Sequence, residues 1–276
     1  MNGTSRPGVE KLPARTMADH GSGVTIKIDV IAFDADDTLW HNETLYSDAQ
    51  SRFQELLAAY DGDHAVLDEL YETEMANLPS FGYGIKSFAL SMIETAIRIT
   101  GGQIPAGQIQ RIIDIAKGMK QAPVSLLEHV EDVIQALSGT HRLMLITKGD
   151  LLDQERKVAH SGLTPHFQSV EVVTEKTADV YRALLAKHEI APERFIMVGN
   201  SLRSDILPVV SLGARAVYIP YHLTWAHETV PVHTGQAQGY VELEHIGLLP
   251  GLVGQLERQG GEPHIEKSSM QKEERP

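Results

Sequence analysis

The spacing of hydrophobic and polar positions changes twice along the chain, and those changes divide it. A short, nearly unbroken apolar run (Ile26, Ile28, Val30, Ile31, Ala32, Phe33) predicts a strand buried on both faces. After a connector over 40–46, Ser47-Asp48-Ala49-Gln50 fits a capping box, and the period becomes helical. Four helices are predicted in a row. The first carries Phe53, Leu56, Leu57 and Tyr60 on one face and stops at Asp61-Gly62. The second carries Val66, Leu67, Leu70, Tyr71 and Met75 and ends near Pro79, where a Gly-aromatic loop runs to Gly84. The third carries Ile85, Phe88, Ala89, Met92, Ile93, Ala96 and Ile97 and is closed by Gly101-Gly102. Ile109, Ile112, Ile113 and Ala116 mark the fourth.

From Pro123 helices and strands alternate. Leu126, Leu127, Val130, Val133, Ile134 and Leu137 share a helical face, and four strands follow over 143–146, 170–173, 195–198 and 216–219. The strand over 216–219 reads as the last of the core. The intervening helices fall at about 150–160, 180–188 and 203–212. The pattern is α/β: a Rossmann-like, doubly wound parallel sheet core with an inserted all-helical cap domain. The core spans 24–46 and 123–256, and the cap spans 47–122. Residues 1–23 and 257–276 are poor in apolar side chains and are expected to be a disordered leader and tail. Met17 competes with Met1 as the true start.

Composition narrows the function classes. A 42% hydrophobic, 22% charged chain is ordinary for a soluble domain. A net charge of −13 argues against nucleic acid or an anionic membrane as partner. With no cysteine there is no disulfide, thiolate zinc site or cysteine nucleophile. No signal-like segment and no apolar run of spanning length is present, so a cytoplasmic location is the default expectation. Monomer and homodimer both remain open.

The chemistry concentrates at the end of the first strand, in Phe33-Asp34-Ala35-Asp36-Asp37-Thr38-Leu39-Trp40. Three carboxylates within four residues repel one another unless a cation is bound or one carboxyl stays protonated. Three further strand ends carry polar residues: Thr147, Lys176, and Asn200 with Asp205. In a parallel sheet all four ends lie along one edge, where open α/β sheets bind ligands.

This order and spacing resemble the haloacid dehalogenase (HAD) superfamily, in its phosphatase branch with a helical cap, over about residues 28–218. The resemblance implies a role for each matching position. Asp34 would be the nucleophile, forming an aspartyl-phosphate, and Asp36 the acid and base, with a proton affinity raised by its acidic neighbours. Thr147 and Lys176 would hold the phosphoryl group, and Asp34, the Asp36 carbonyl and Asp205 would hold Mg²⁺. Asn200 stands where an acid is often found, removing one negative charge from the metal. Asp36 also argues against dehalogenation, because a halide leaves without a proton. The implied activity is Mg²⁺-dependent hydrolysis of a small phosphorylated metabolite. A phosphomutase and a silent phospho-ligand binding module are the alternatives.

Phe81, Tyr83 and Lys86 are the cap residues expected to reach substrate, and Trp40 and His41 lie where a mobile flap is expected. Lys148 is read as a loop lysine without a task, and Asp37 and Thr38 as residues that hold the turn. His222 and His227 lack the spacing of a zinc site.

Overall fold

β1 (Val30–Phe33) lies inside a six-stranded sheet, and each of its four residues is buried. The computed structural model describes residues 27–60, 66–223, 225–228 and 239–259. β2 (Arg142–Lys148) and β4 (Phe195–Gly199) flank β1, β3 (Ser169–Val173) lies beyond β2, and β5 (Arg215–Tyr218) and β6 (Tyr240–Glu242) lie beyond β4. Every pairing is parallel, in the order β3-β2-β1-β4-β5-β6. The strand order reverses between β1 and β4. At such a switch point the connections leave in opposite directions and open a crevice above the strand tips.

The apolar strands need cover on both faces. Ile31 and Phe33 pack with Val133, Ile134 and Val253, from α5 (Val130–Ser138) and α9 (Leu249–Gln259). Val30 and Ala32 face Tyr181, Leu184 and Val209, from α7 (Ala178–Lys187) and α8 (Leu207–Val210). The polar helix α6 (Leu151–His160) follows β2, and the side chain of its N-cap Asp150 accepts from Asp153 N.

Between β1 and α5 stand α1 (Glu43–Leu57), α2 (Val66–Phe81), α3 (Ile85–Ile99) and α4 (Ala106–Gln121). They share a hydrophobic cluster of their own, built on Phe53, Leu57, Leu70, Phe88, Met92 and Ile112.

Several boundaries differ from the sequence reading. α1 begins at Glu43 rather than at the capping box, because the Asp37 carboxylate accepts from the amides of Asn42 (2.9 Å) and Glu43 (3.0 Å). Asp37 adopts φ 61°, which folds its side chain back over that helix end. α2 continues through Pro79 to Phe81: proline removes one donor, but Gly82 N still reaches Leu78 O at 2.9 Å. α5 starts only at Val130, because Leu126 is drawn into a bridge with Trp40 and His129 is left-handed. β5 is not the last strand, since β6 extends the edge, and α9 carries the ordered chain past residue 256 to Gln259. Leu67 and Ile97, expected in the helical core, are 37% and 46% exposed. The stop at Asp61-Gly62, the leader and most of the tail lie outside the described residues.

Candidate active site

Asp34, Asp36, Thr147, Lys176 and Asp205 all line one cleft at the tips of β1 to β4. Lys176, 4% exposed, donates to both Asp34 Oδ1 and Asp205 Oδ1, the latter at 2.7 Å. The two carboxylates therefore converge on a single cation. Asp34 Oδ2 accepts from the Thr38 hydroxyl at 3.0 Å, and the same hydroxyl lies 3.2 Å from Asn200 Oδ1. That hydroxyl links the tips of β1 and β4. Thr147 is 1% exposed at the tip of β2.

The local fold aims Asp205. After β4 the chain makes a wide turn in which Ile206 N bonds Ser201 O at 3.2 Å. The turn swings the Asp205 carboxylate onto Gly199, with Oδ2 accepting from Ser201 N at 3.0 Å. A Cβ at position 199 would collide with that carboxylate, so only glycine fits there.

Burial pushes the Asp34 carboxyl up, to about 7; Lys176 opposes the rise and Asp205 adds to it. For Lys176 burial acts to lower the proton affinity, but Asp205 and Asp34 outweigh it and hold the ammonium above its ordinary value. Asp36 differs from the expectation. Burial raises its proton affinity, yet Lys157, Gln154 and Trp40 together hold its carboxyl below the usual range. Lys157 Nζ lies 2.7 Å from both Asp36 oxygens, Gln154 Nε2 2.8 Å from Oδ2 and Trp40 Nε1 2.7 Å from Oδ1. Asp36 is thus a carboxylate clamped by α6, because its nearest charge is a lysine and not another acid. Gln154 and Lys157 are three apart on one helical face above the β2 tip, a spacing legible in the sequence once α6 is placed there.

The helical side of the cleft also differs from expectation. Tyr83 lines it, but Phe81 and Lys86 do not. The extra turn of α2 leaves Phe81 54% exposed, and the Lys86 ammonium is tied to Asp150 at 2.7 Å. Trp40 is 1% exposed and held by Asp36, so it has no free face for substrate. His41 Nδ1 lies 2.6 Å from the Tyr221 hydroxyl. Lys148 has a clear position: it ion-pairs with Glu228, donates to Ser204 Oγ at 3.1 Å, and lies 4.5 Å above the Tyr83 ring. Trp225 meets Tyr83 edge-on, with centroids 6.0 Å apart. The segment 225–228 therefore closes one wall of the cleft against the loop between α2 and α3. Glu43 and Glu74 also line the cleft and have no cation partner among the described residues. Burial raises each to about 7, with Asp37 and Glu74 adding to Glu43 and a hydrogen bond from Trp225 opposing the rise at Glu74.

The donors at the strand tips suit a hard divalent ion. Asp34 and Asp205 supply hard oxygens that already share one cationic centre. Among the described residues no group of three His, Cys, Asp or Glu side chains is placed to hold a metal. A magnesium site here must therefore combine two carboxylates with main-chain and solvent oxygens.

A parallel sheet with this strand order, an acidic cleft at its switch point and helices inserted behind the first acidic turn define a Rossmann-like α/β core of the kind that binds ligands at its strand tips. The family model for haloacid dehalogenase-like hydrolases matches residues 28–213. The chain belongs to that family. A haloacid dehalogenase-like hydrolase from Xanthomonas campestris is 36% identical, with a TM-score of 0.76 over 88% of this chain and 96% of the other. Two structures share the fold at lower identity. The HAD-hydrolase YfnB from Bacillus subtilis, solved bound to magnesium, is 16% identical, with a TM-score of 0.58 over 83% of this chain and 99% of the other. The L-2-haloacid dehalogenase from Xanthobacter autotrophicus is 17% identical, with a TM-score of 0.55 over 82% and 98%. A search of curated proteins finds no match. Among the described residues no helix is long and apolar enough to cross a membrane.

Proposed function

We propose that this hydrolase is a Mg²⁺-dependent phosphatase of small phosphorylated metabolites, acting through Asp34 as nucleophile. The carrying observation is the pairing of a cation-sharing carboxylate couple, Asp34 and Asp205, with a separate carboxylate, Asp36, on the same cleft. Halide displacement needs no proton donor beside the nucleophile, whereas an alkoxide does. An Asp34 oxygen attacks phosphorus as the ester P–O bond breaks, and the leaving alkoxide takes its proton from Asp36. The Asp36 carboxylate then takes a proton from a water whose oxygen attacks the phosphorus, which releases Asp34 and inorganic phosphate. Lys176 and the Thr147 hydroxyl bind the phosphoryl oxygens, and Lys176 offsets their charge against Asp34. Asp34, the Asp36 carbonyl and Asp205 would hold Mg²⁺, which supplies Lewis-acid shielding between two anions when bound.

The Lys157 clamp fits the base half of this cycle directly, since it keeps Asp36 ionised. The acid half requires that contact to loosen when substrate enters. Tyr83, Lys148 and the 225–228 segment then exclude water from the reacting group. The cap at 47–122 and its lid role are part of this reading, as are a cytoplasmic location and a small-molecule partner without nucleic acid or membrane.

The test is phosphate release from p-nitrophenyl phosphate with and without Mg²⁺, beside halide release from 2-chloropropionate. The reading expects the first, dependent on Mg²⁺ and lost in Asp34→Asn. Halide release without phosphate release would replace it with a dehalogenase.

A further inference from the structure

Resting on the phosphatase reading, we infer that the leaving group of the substrate carries an organic ammonium, bound between Glu43, Glu74 and the aromatic wall of the cleft. Nine carboxylates line the cleft against three lysines, Lys148, Lys157 and Lys176. Each of those lysines is already taken, by Glu228, Asp36, and Asp34 with Asp205. The Asp37 carboxylate is satisfied by main-chain amides, and Asp150 by Lys86. Glu43 and Glu74 are left, both partly buried and without a cation among the described residues.

A second observation points the same way. Asp153 is 3% exposed and lines the cleft; its Oδ1 takes Lys120 at 2.5 Å, but its Oδ2 has no hydrogen-bond partner. A buried carboxylate oxygen without a donor costs free energy, so a donor is expected there when the site is filled. Asp36, Glu43, Asp153 and Glu74 all act on the Tyr46 phenol and, with burial, hold its proton affinity well above the ordinary value. Tyr46 lines the same cleft as all four of these carboxylates. Tyr46 packs against Phe88 at 5.0 Å between centroids, and Trp225 lies on the same cleft.

The arrangement selects the ligand chemistry. A metal ion needs its oxygens to converge on one point, and no such group of three exists among the described residues. Carboxylates spread around aromatic faces suit a bulkier cation, whose N–H or N–CH₃ groups meet acids and rings together. A sugar or nucleoside alcohol would bring Glu43 and Glu74 no cation, which both lack among the described residues. The phosphoryl end belongs at the strand tips with Thr147 and Lys176, and Asp36 stands between the two ends. The fitting class is a phosphomonoester of an amino alcohol.

The experiment compares 3-aminopropylphosphonate with propylphosphonate, neither of which can be hydrolysed. Binding is measured by calorimetry on the full chain with Mg²⁺ at physiological salt. The amine is expected to bind at least about tenfold tighter, as a charge-assisted hydrogen bond to a part-buried carboxylate implies. Glu43→Gln and Glu74→Gln should each shrink that ratio severalfold. Because each variant is its own reference, loss of folded protein cannot mimic the result. Equal binding of the two phosphonates, or a ratio that survives both substitutions, overturns the inference whatever the enzyme hydrolyses. The phosphatase reading fails separately, by absence of phosphate release from p-nitrophenyl phosphate.

Discussion

Replacing Glu43 by glutamine should make the protein more stable in alkaline solution and leave it nearly unchanged in acid. The Glu43 carboxyl rises from its ordinary 4.5 to about 7 in the folded chain, because of burial and then the charges of Asp37, Glu74 and Asp36. The folded state therefore holds a proton that the unfolded state has released, and stability drains away between about pH 4.5 and pH 7. At 1.36 kcal/mol per tenfold change in proton affinity, the full loss is about 3 kcal/mol. Residual solvent contact cuts this to about 2 kcal/mol. Glu43 is also the first residue of α1, where a negative charge gains about 0.5 kcal/mol from the helix dipole. The net gain from Glu43→Gln at about pH 8 is then about 1–2 kcal/mol, or roughly 2–6 °C in Tm. Thermal unfolding followed by circular dichroism, without metal or ligand, at about pH 5 and about pH 8 measures it. An equal shift at both pH values, or a loss at the higher one, would refute the claim that this carboxylate is held uncompensated. Glu74→Gln should follow the same course, and the double variant should gain less than the sum, since the two groups act on each other.

Three further outcomes are expected. Lys157→Met removes the charge that holds Asp36 down, so Asp36 should protonate at higher pH. The alkaline limb of the kcat/KM profile, set by the acid that protonates the leaving alkoxide, should then move to higher pH, and an unmoved limb would contradict the clamp. Glu228 is held down to about 2 because Lys148, Ser201 and Ser204 outweigh its burial. Its folded proton affinity is depressed, so its stability is complete above about pH 4.5 and lost as pH falls toward 2; Glu228→Gln should cost about 2 kcal/mol at neutral pH in chemical unfolding and almost nothing near pH 2. Gly199→Ala drives a methyl into the Asp205 carboxylate; a Mg²⁺ titration of activity should show affinity weakened at least about tenfold, and an unchanged midpoint would remove Asp205 from the metal site.

The centre of the sheet was legible because β1, β2 and β4 are buried and read as apolar runs, whereas β6 is half-exposed at the edge and was missed; the parallel order then put Asp34, Thr147, Lys176 and Asp205 on one edge. What the sequence hid lies in long-range side-chain contacts. Asp36 looks like an acid among acids until α6 brings Lys157 and Gln154 onto it from more than a hundred residues away. Lys148 looks idle until Glu228 arrives from beyond β5. The capping box at Ser47 was locally sound, but a carboxylate at Asp37 nucleated the helix earlier. Phe81 was placed in a loop because Pro79 usually ends a helix, and here it falls in the last turn. Glu43 and Glu74 carry no motif at all; only the fold shows that they face one cleft.

In the proposed reaction the Asp34 carboxylate takes the phosphoryl group itself. Turnover of p-nitrophenyl phosphate with Mg²⁺ in heavy-oxygen water, quenched in acid and digested, tests it by mass spectrometry of the Asp34 peptide and the released phosphate. A transient phosphoryl adduct on Asp34 is expected, with heavy oxygen only in the phosphate and neither product with Asp34→Asn. Heavy oxygen in the Asp34 carboxylate, as when an ester is opened at carbon, or undiminished phosphate release by Asp34→Asn, would contradict it.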